Sequence, residues 1–167
     1  MKRPIGYALI ALLILLTLTF IFGSSAKPSA ESNSDSNQVL DKVEPVVDPL
    51  LQGITGQKPQ REEMHKLVRK AAHFAEYALL GIELTVLVLY HKRRLISELL
   101  FMPPFALLFA AMTDELIQAA TDRTSSVGDV CLDFCGGVAG MIMALTAAWL
   151  LPRLIAAGKK ARKENPS

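Results

Sequence analysis

The stretch that decides the fold is "RKAAHFAEYALLGIELTVLVLY", residues 69–90. From Ala71 onward it is long and apolar enough to cross a bilayer, whose hydrocarbon core needs about 20 such residues. Yet it carries three ionisable side chains, His73, Glu76 and Glu83. Three other segments have the same apolar length, residues 5–22, 95–120 and 127–151. The chain has 167 residues, is 51% hydrophobic, carries a net charge of only +2, and gathers its apolar residues in these blocks. A soluble domain mixes them more evenly. The pattern predicts an all-α protein, a polytopic membrane four-helix bundle.

The first span has a rival reading. Lys2 and Arg3 before an apolar run, with Ser24-Ser25-Ala26 after it, look like a signal peptide and its cleavage site. The run exceeds the usual signal core of about 7–15 residues, which favours a retained anchor. Lys and Arg near span ends set the orientation. They cluster before the first span, in "HKRR" (residues 91–94) and in "RLIAAGKKARK" (residues 153–163). An inside N-terminus places all three clusters in the cytoplasm, beside anionic inner-leaflet lipids. The basic charge has no stacking aromatics beside it, so no nucleic-acid partner is expected. Cys131 and Cys135 stand one helical turn apart, which suits small packing residues better than a disulfide or a ligand pair.

These boundaries divide the chain into a first transmembrane helix (1–22), an external linker with an amphipathic helix (23–70), a core of three spans (71–151) and a basic cytoplasmic tail (152–167). The linker "GSSAKPSAESNSDSNQ" is rich in Ser and poor in large apolar residues. After it, Val39, Val43, Val46, Val47, Leu50 and Leu51 recur at helical spacing with acids opposite, as on a surface-lying helix interrupted near Pro45 and Pro49. "REEMHKLVRK" is expected to run straight into the second span as one helix. Pro103-Pro104 predicts a kink or a late start in the third.

The polar residues inside the spans converge. A charge at membrane depth costs about 3 kcal/mol or more, so it usually faces the bundle interior. His73, Glu76 and Glu83 fall close to one stripe, which His65 and Arg69 extend outward. In the third span "TDELIQ" sets Asp114 and Gln118 four apart, with Glu115 beside them, and in the fourth Asp129 and Asp133 align with Gly136 and Gly140. The topology brings His73, Glu76, Asp114, Glu115, Gln118, Arg123 and Asp129 to the outer leaflet. Glu83 is the exception, about 15 Å deeper than His73 at 1.5 Å per residue.

"RKAAHFAEYALLG" and "DELIQAATDRTSSVGDVCLDFCGGVAG" resemble the two signatures of the VanZ-like family. The matching residues are Lys70, His73, Phe74, Glu76, Tyr77, Asp114, Glu115, Gln118, Arg123, Ser126, Asp129, Gly136 and Gly140. Asp133 departs from the family's usual Asn, and "QAATDR" lacks the Pro-Gly often found before the Arg. The resemblance implies a bacterial plasma-membrane protein with a role at the cell envelope, linked to low-level resistance to teicoplanin-type glycopeptides.

The polar set supports several readings. His73 with Glu76 suits proton transfer, since imidazole titrates near neutrality, and Asp114, Glu115 and Gln118 complete a candidate catalytic group. Lys70 and Arg123, with Ser126 and Asp129, form a candidate substrate-binding group for a phosphate or carboxylate on a membrane lipid or cell-wall precursor. The alternatives are structural: interhelical hydrogen bonds, acids neutralised by Arg69, Lys70 and Arg123, and Ser126 with Asp129 as a capping box. Gly136 and Gly140 form a GxxxG, a helix-packing motif. HxxE with scattered acids is no sharply spaced ligand set, so neither metal nor cofactor is expected. The expectation is a pocket that binds or modifies an anionic envelope lipid or precursor. A non-catalytic lipid-binding or scaffold protein and a proton-coupled transporter remain as alternatives, with a homo-oligomer or membrane-protein partner left open.

Overall fold

A computed structural model describes residues 3–28, 37, 39–42, 44–45, 49, 53, 60–91, 95–121 and 126–164. Among the described residues four long helices follow one another: α1 (Arg3–Ser25), α2 (Arg61–His91), α3 (Leu95–Ala120) and α4 (Val127–Glu164). Each contains a stretch long and apolar enough to cross a membrane. Their outward faces are apolar too, with Leu9, Leu16, Phe20, Phe105, Phe109, Leu116, Ile142 and Trp149 all exposed. So continuous an apolar surface suits lipid, not water. The chain is an all-α, multi-pass membrane protein.

Lipid tails are as apolar as leucine, so helices in a bilayer hold together by close packing and interhelical hydrogen bonds. The α2–α4 pair uses small residues for this. A Cβ on Gly136 would lie 2.5 Å from the Phe74 carbonyl oxygen. One on Gly140 would collide with the Ala78 carbonyl, and one on Gly81 with the Gly137 carbonyl. The GxxxG thus brings two backbones nearly into contact, and Leu107 of α3 packs over Gly137. Ile21, Tyr77, Leu80, Leu107, Ala110, Ala111 and Met141 fill the space between the four helices.

Helix α1 packs on α2 and α3 and keeps most of its large side chains outside. Its polar link is buried: Thr17 Oγ1 donates to Glu83 Oε1 at 2.9 Å. At the other end of α2, Tyr7 meets Tyr90 edge to face with ring centroids 4.9 Å apart, and its hydroxyl bonds His91 Nδ1 at 3.0 Å. Gly6 leaves the room that Tyr90 occupies.

Several expectations change. Glu83 does not share the His73 face. Ten residues at about 100° each leave it some 80° off that stripe, and it turns to α1. Helix α3 runs unbroken through Pro103 and Pro104, so the late start is not seen. Cys131 and Cys135 are exposed on the outside of α4 and so do not pack in the interior. As expected, α2 begins at Arg61 and continues into the membrane as one helix. In the external segment residues 39–42 are helical, with Leu40 buried and Val39 exposed. Arg61 bonds Asp41 at 2.5 Å, an exposed pair that contributes little to stability. Val43, Val46, Val47, Leu50 and Leu51 lie outside the described residues, as do Lys92, Arg93 and Arg94.

Candidate functional site

The polar residues meet at the end of the bundle where α1 and α3 finish and α4 begins. The α2–α4 approach at Gly136 sets Asp133, one turn earlier on α4, beside His73, the neighbour of Phe74. Helix α3 adds Asp114. His73 Nδ1 lies 3.6 Å from Asp114 Oδ2 and 4.0 Å from Asp133 Oδ1. His73 is nearly buried, and both carboxylates are buried (Asp114 0%, Asp133 2% exposed). Gln118, one turn after Asp114, donates from Nε2 to Asp114 Oδ2 at 3.0 Å and reaches Ser25 Oγ at 3.5 Å. Three helices therefore hold one histidine and two acids, and the end of the fourth braces Gln118.

This cluster is electrostatically costly. One oxygen from each of Asp114 and Asp133 lies within 4.8 Å of the other and of a His73 nitrogen. Two ionised carboxylates that close repel by about 3.5 kcal/mol at an effective dielectric near 20. Glu76, on the next turn of α2, is a further acid in the field of Asp114, and its Oε2 is buried without a hydrogen-bond partner. The hydroxyl of Tyr77 is likewise buried and unpartnered, among the same acids. So dense a set of buried acids calls for positive charge beside it.

The mouth of the site differs from its floor. Lys70 Nζ pairs with Asp129 Oδ1 at 3.3 Å, with Lys70 half exposed. A small cavity of ≈ 10 Å³ lies between this pair and the floor, bordered by Arg69, Lys70, His73, Gln118, Asp129 and Asp133. That is room for about one water-sized particle. Ser126 caps α4, its Oγ accepting from the Asp129 N–H at 3.2 Å and donating to Asp129 Oδ2 at 3.1 Å. Asp129 does not close the box on the Ser126 backbone N–H. That N–H donates to Glu115 Oε1, so Glu115 ties the end of α3 to the start of α4. Thr121 adds a bond to the Ser25 carbonyl oxygen at 3.4 Å.

Of the residues expected from the sequence, His73, Asp114 and Gln118 meet directly, and Lys70 with Asp129 stands over them. Glu76 borders the group, Glu115 and Ser126 serve the α3–α4 junction, and Arg123 lies outside the described residues. The candidate groups read from the sequence include neither Asp133, aligned there with Gly136 and Gly140 and set apart from the family's usual Asn, nor Ser25. The signal for Asp133 was present. It stands three residues before Gly136, on the face the glycines commit to α2.

The fold and site define a multi-pass helical membrane protein with a buried His–Asp–Asp cluster at one end of its bundle. The model of the VanZ/LLP1 family matches residues 9–150, and the chain belongs to that family. Searches among curated proteins and among solved structures give no match.

Proposed function

We propose that this protein works at the outer face of the bacterial plasma membrane, with both termini in the cytoplasm, and that its polar pocket engages an anionic lipid or cell-wall precursor. The observation that carries the reading is the juxtaposition of a half-exposed lysine, Lys70, with a buried His73–Asp114–Asp133 floor across a small cavity. A floor of that kind manages protons or charge, and a cation at the mouth suits a phosphate or carboxylate. Lys70 and Arg123 take the charged group, and Ser126 and Asp129 shape the mouth. His73 moves the proton, with Glu76, Asp114 and Glu115 as its acids and Gln118 as the group that orients substrate. An apolar cavity of ≈ 230 Å³ between α1, α2 and α3, bordered by Leu18, Phe22, Leu80, Phe109 and Thr113, supports a lipidic ligand. Thr113 precedes Asp114 on α3, so an acyl chain there reaches the depth of the polar site on another face of the helix. A change in the envelope made this way would link the protein to teicoplanin-type glycopeptide resistance.

A second reading, binding without turnover, is favoured by the Glu115 bond that joins α3 to α4 and the Ser126 bond that caps α4, which leave those groups less free to react. The test is mass spectrometry of envelope lipids and wall precursors from cells with wild type, His73→Ala or no protein, at matched membrane levels. A species that changes with wild type and not with His73→Ala establishes turnover and names the substrate class. Identical profiles in all three refute catalysis on abundant lipids and leave binding.

A further inference from the structure

We propose that His73, Asp114 and Asp133, brought together from α2, α3 and α4, bind one divalent transition-metal cation. Spacing in the sequence offers no metal motif, because the three residues come from helices far apart in the chain. The fold supplies what spacing lacks. One ligand atom from each lies within 4.8 Å of the other two, so a point within about 2.8 Å of all three exists. Zinc bonds to nitrogen and oxygen measure about 2.0–2.2 Å. Each ligand therefore closes by little more than half an ångström, within the reach of small side-chain rotations.

Three further observations point to a cation. Asp114 Oδ1 is buried without a hydrogen-bond partner on a residue with no exposed surface. Among the described residues neither Asp114 nor Asp133 pairs with a lysine or arginine, and His73 is the basic side chain that faces both. Gln118 donates at 3.0 Å to Asp114 Oδ2, the oxygen that also lies 3.6 Å from His73 Nδ1, the kind of outer support that orients a metal-binding carboxylate.

One imidazole and two carboxylates suit Zn²⁺ or Mn²⁺ better than Mg²⁺, which prefers oxygen alone and keeps its waters. Three protein ligands leave a coordination position open. The cavity beneath Lys70 and Asp129 borders it, so an anionic oxygen entering there meets the ion and the lysine together. The inference rests on reading this pocket as a ligand site, yet metal occupancy is measurable without any lipid, so the two fail separately.

The experiment is elemental analysis and calorimetric titration of the full chain, purified in detergent, stripped with chelator and given Zn²⁺, Mn²⁺ or Mg²⁺ alone. The expected result is about one Zn²⁺ or Mn²⁺ per chain, lost in Asp133→Asn and retained when Cys131 and Cys135 are both changed to serine. Gln118→Ala is expected to weaken affinity by about 10–100-fold without abolishing binding. Thermal melting checks that each variant is folded, and Gln118→Ala carries the test should Asp133→Asn fail to fold. Folded wild type that takes up no Zn²⁺ or Mn²⁺ overturns the proposal. So does occupancy unchanged in folded Asp133→Asn, or unchanged affinity in Gln118→Ala.

Discussion

The α2–α4 contact is the joint on which the site depends, and Gly136→Ala tests it. The new Cβ would lie 2.5 Å from the Phe74 carbonyl oxygen, and ordinary contact begins at 3.4 Å, so the helices must part by about 0.9 Å. The obstacle is backbone, which cannot swing aside as a side chain does. Overpacking of this kind costs about 1–3 kcal/mol. Alanine also favours helix over glycine by about 0.8–1.0 kcal/mol, which partly offsets that cost. Gly23→Ala is the reference, because nothing lies within 4 Å of its added Cβ. We expect Gly136→Ala to be about 1–3 kcal/mol less stable than Gly23→Ala, measured by reversible unfolding in detergent with far-UV circular dichroism. The same parting moves Asp133 away from His73, now 4.0 Å apart, so metal uptake is expected to fall as well. Two variants equally stable within about 0.5 kcal/mol would refute the close approach and the account of how the site is assembled.

Three further outcomes test other joints of the bundle. The buried Thr17–Glu83 bond is expected to show a coupling of about 0.6 kcal/mol, and no more than about 1.7, in a double-mutant cycle of Thr17→Val and Glu83→Leu. Zero coupling would mean that this bond does not help to hold α1. Glu83→Gln keeps the acceptor and is expected to retain stability and function, whereas loss of function there would revive a proton path through the inner half. Ser126→Ala removes the acceptor for the Asp129 N–H and is expected to cost about 1 kcal/mol in the same unfolding assay. A neutral result would show that Glu115 alone secures the start of α4.

Segment length and hydropathy by themselves determined the four candidate spans and their membrane character, because the bilayer imposes a length that any spanning helix must meet. The same reading found that His73, Asp114, Gln118 and Asp129 gather at one end of the bundle, since up-and-down topology fixes which span ends are neighbours. It identified the GxxxG as a packing motif, but not its partner. Only the tertiary structure showed that Gly136 and Gly140 press on Phe74 and Ala78, and so that Asp133 stands beside His73. It also turned Glu83 away to Thr17 and engaged Glu115 with the start of α4. Periodicity places a residue on a face, whereas the rotation of one helix against another is set where small residues let backbones touch. In this protein that rotation decides which of its many acids share the histidine.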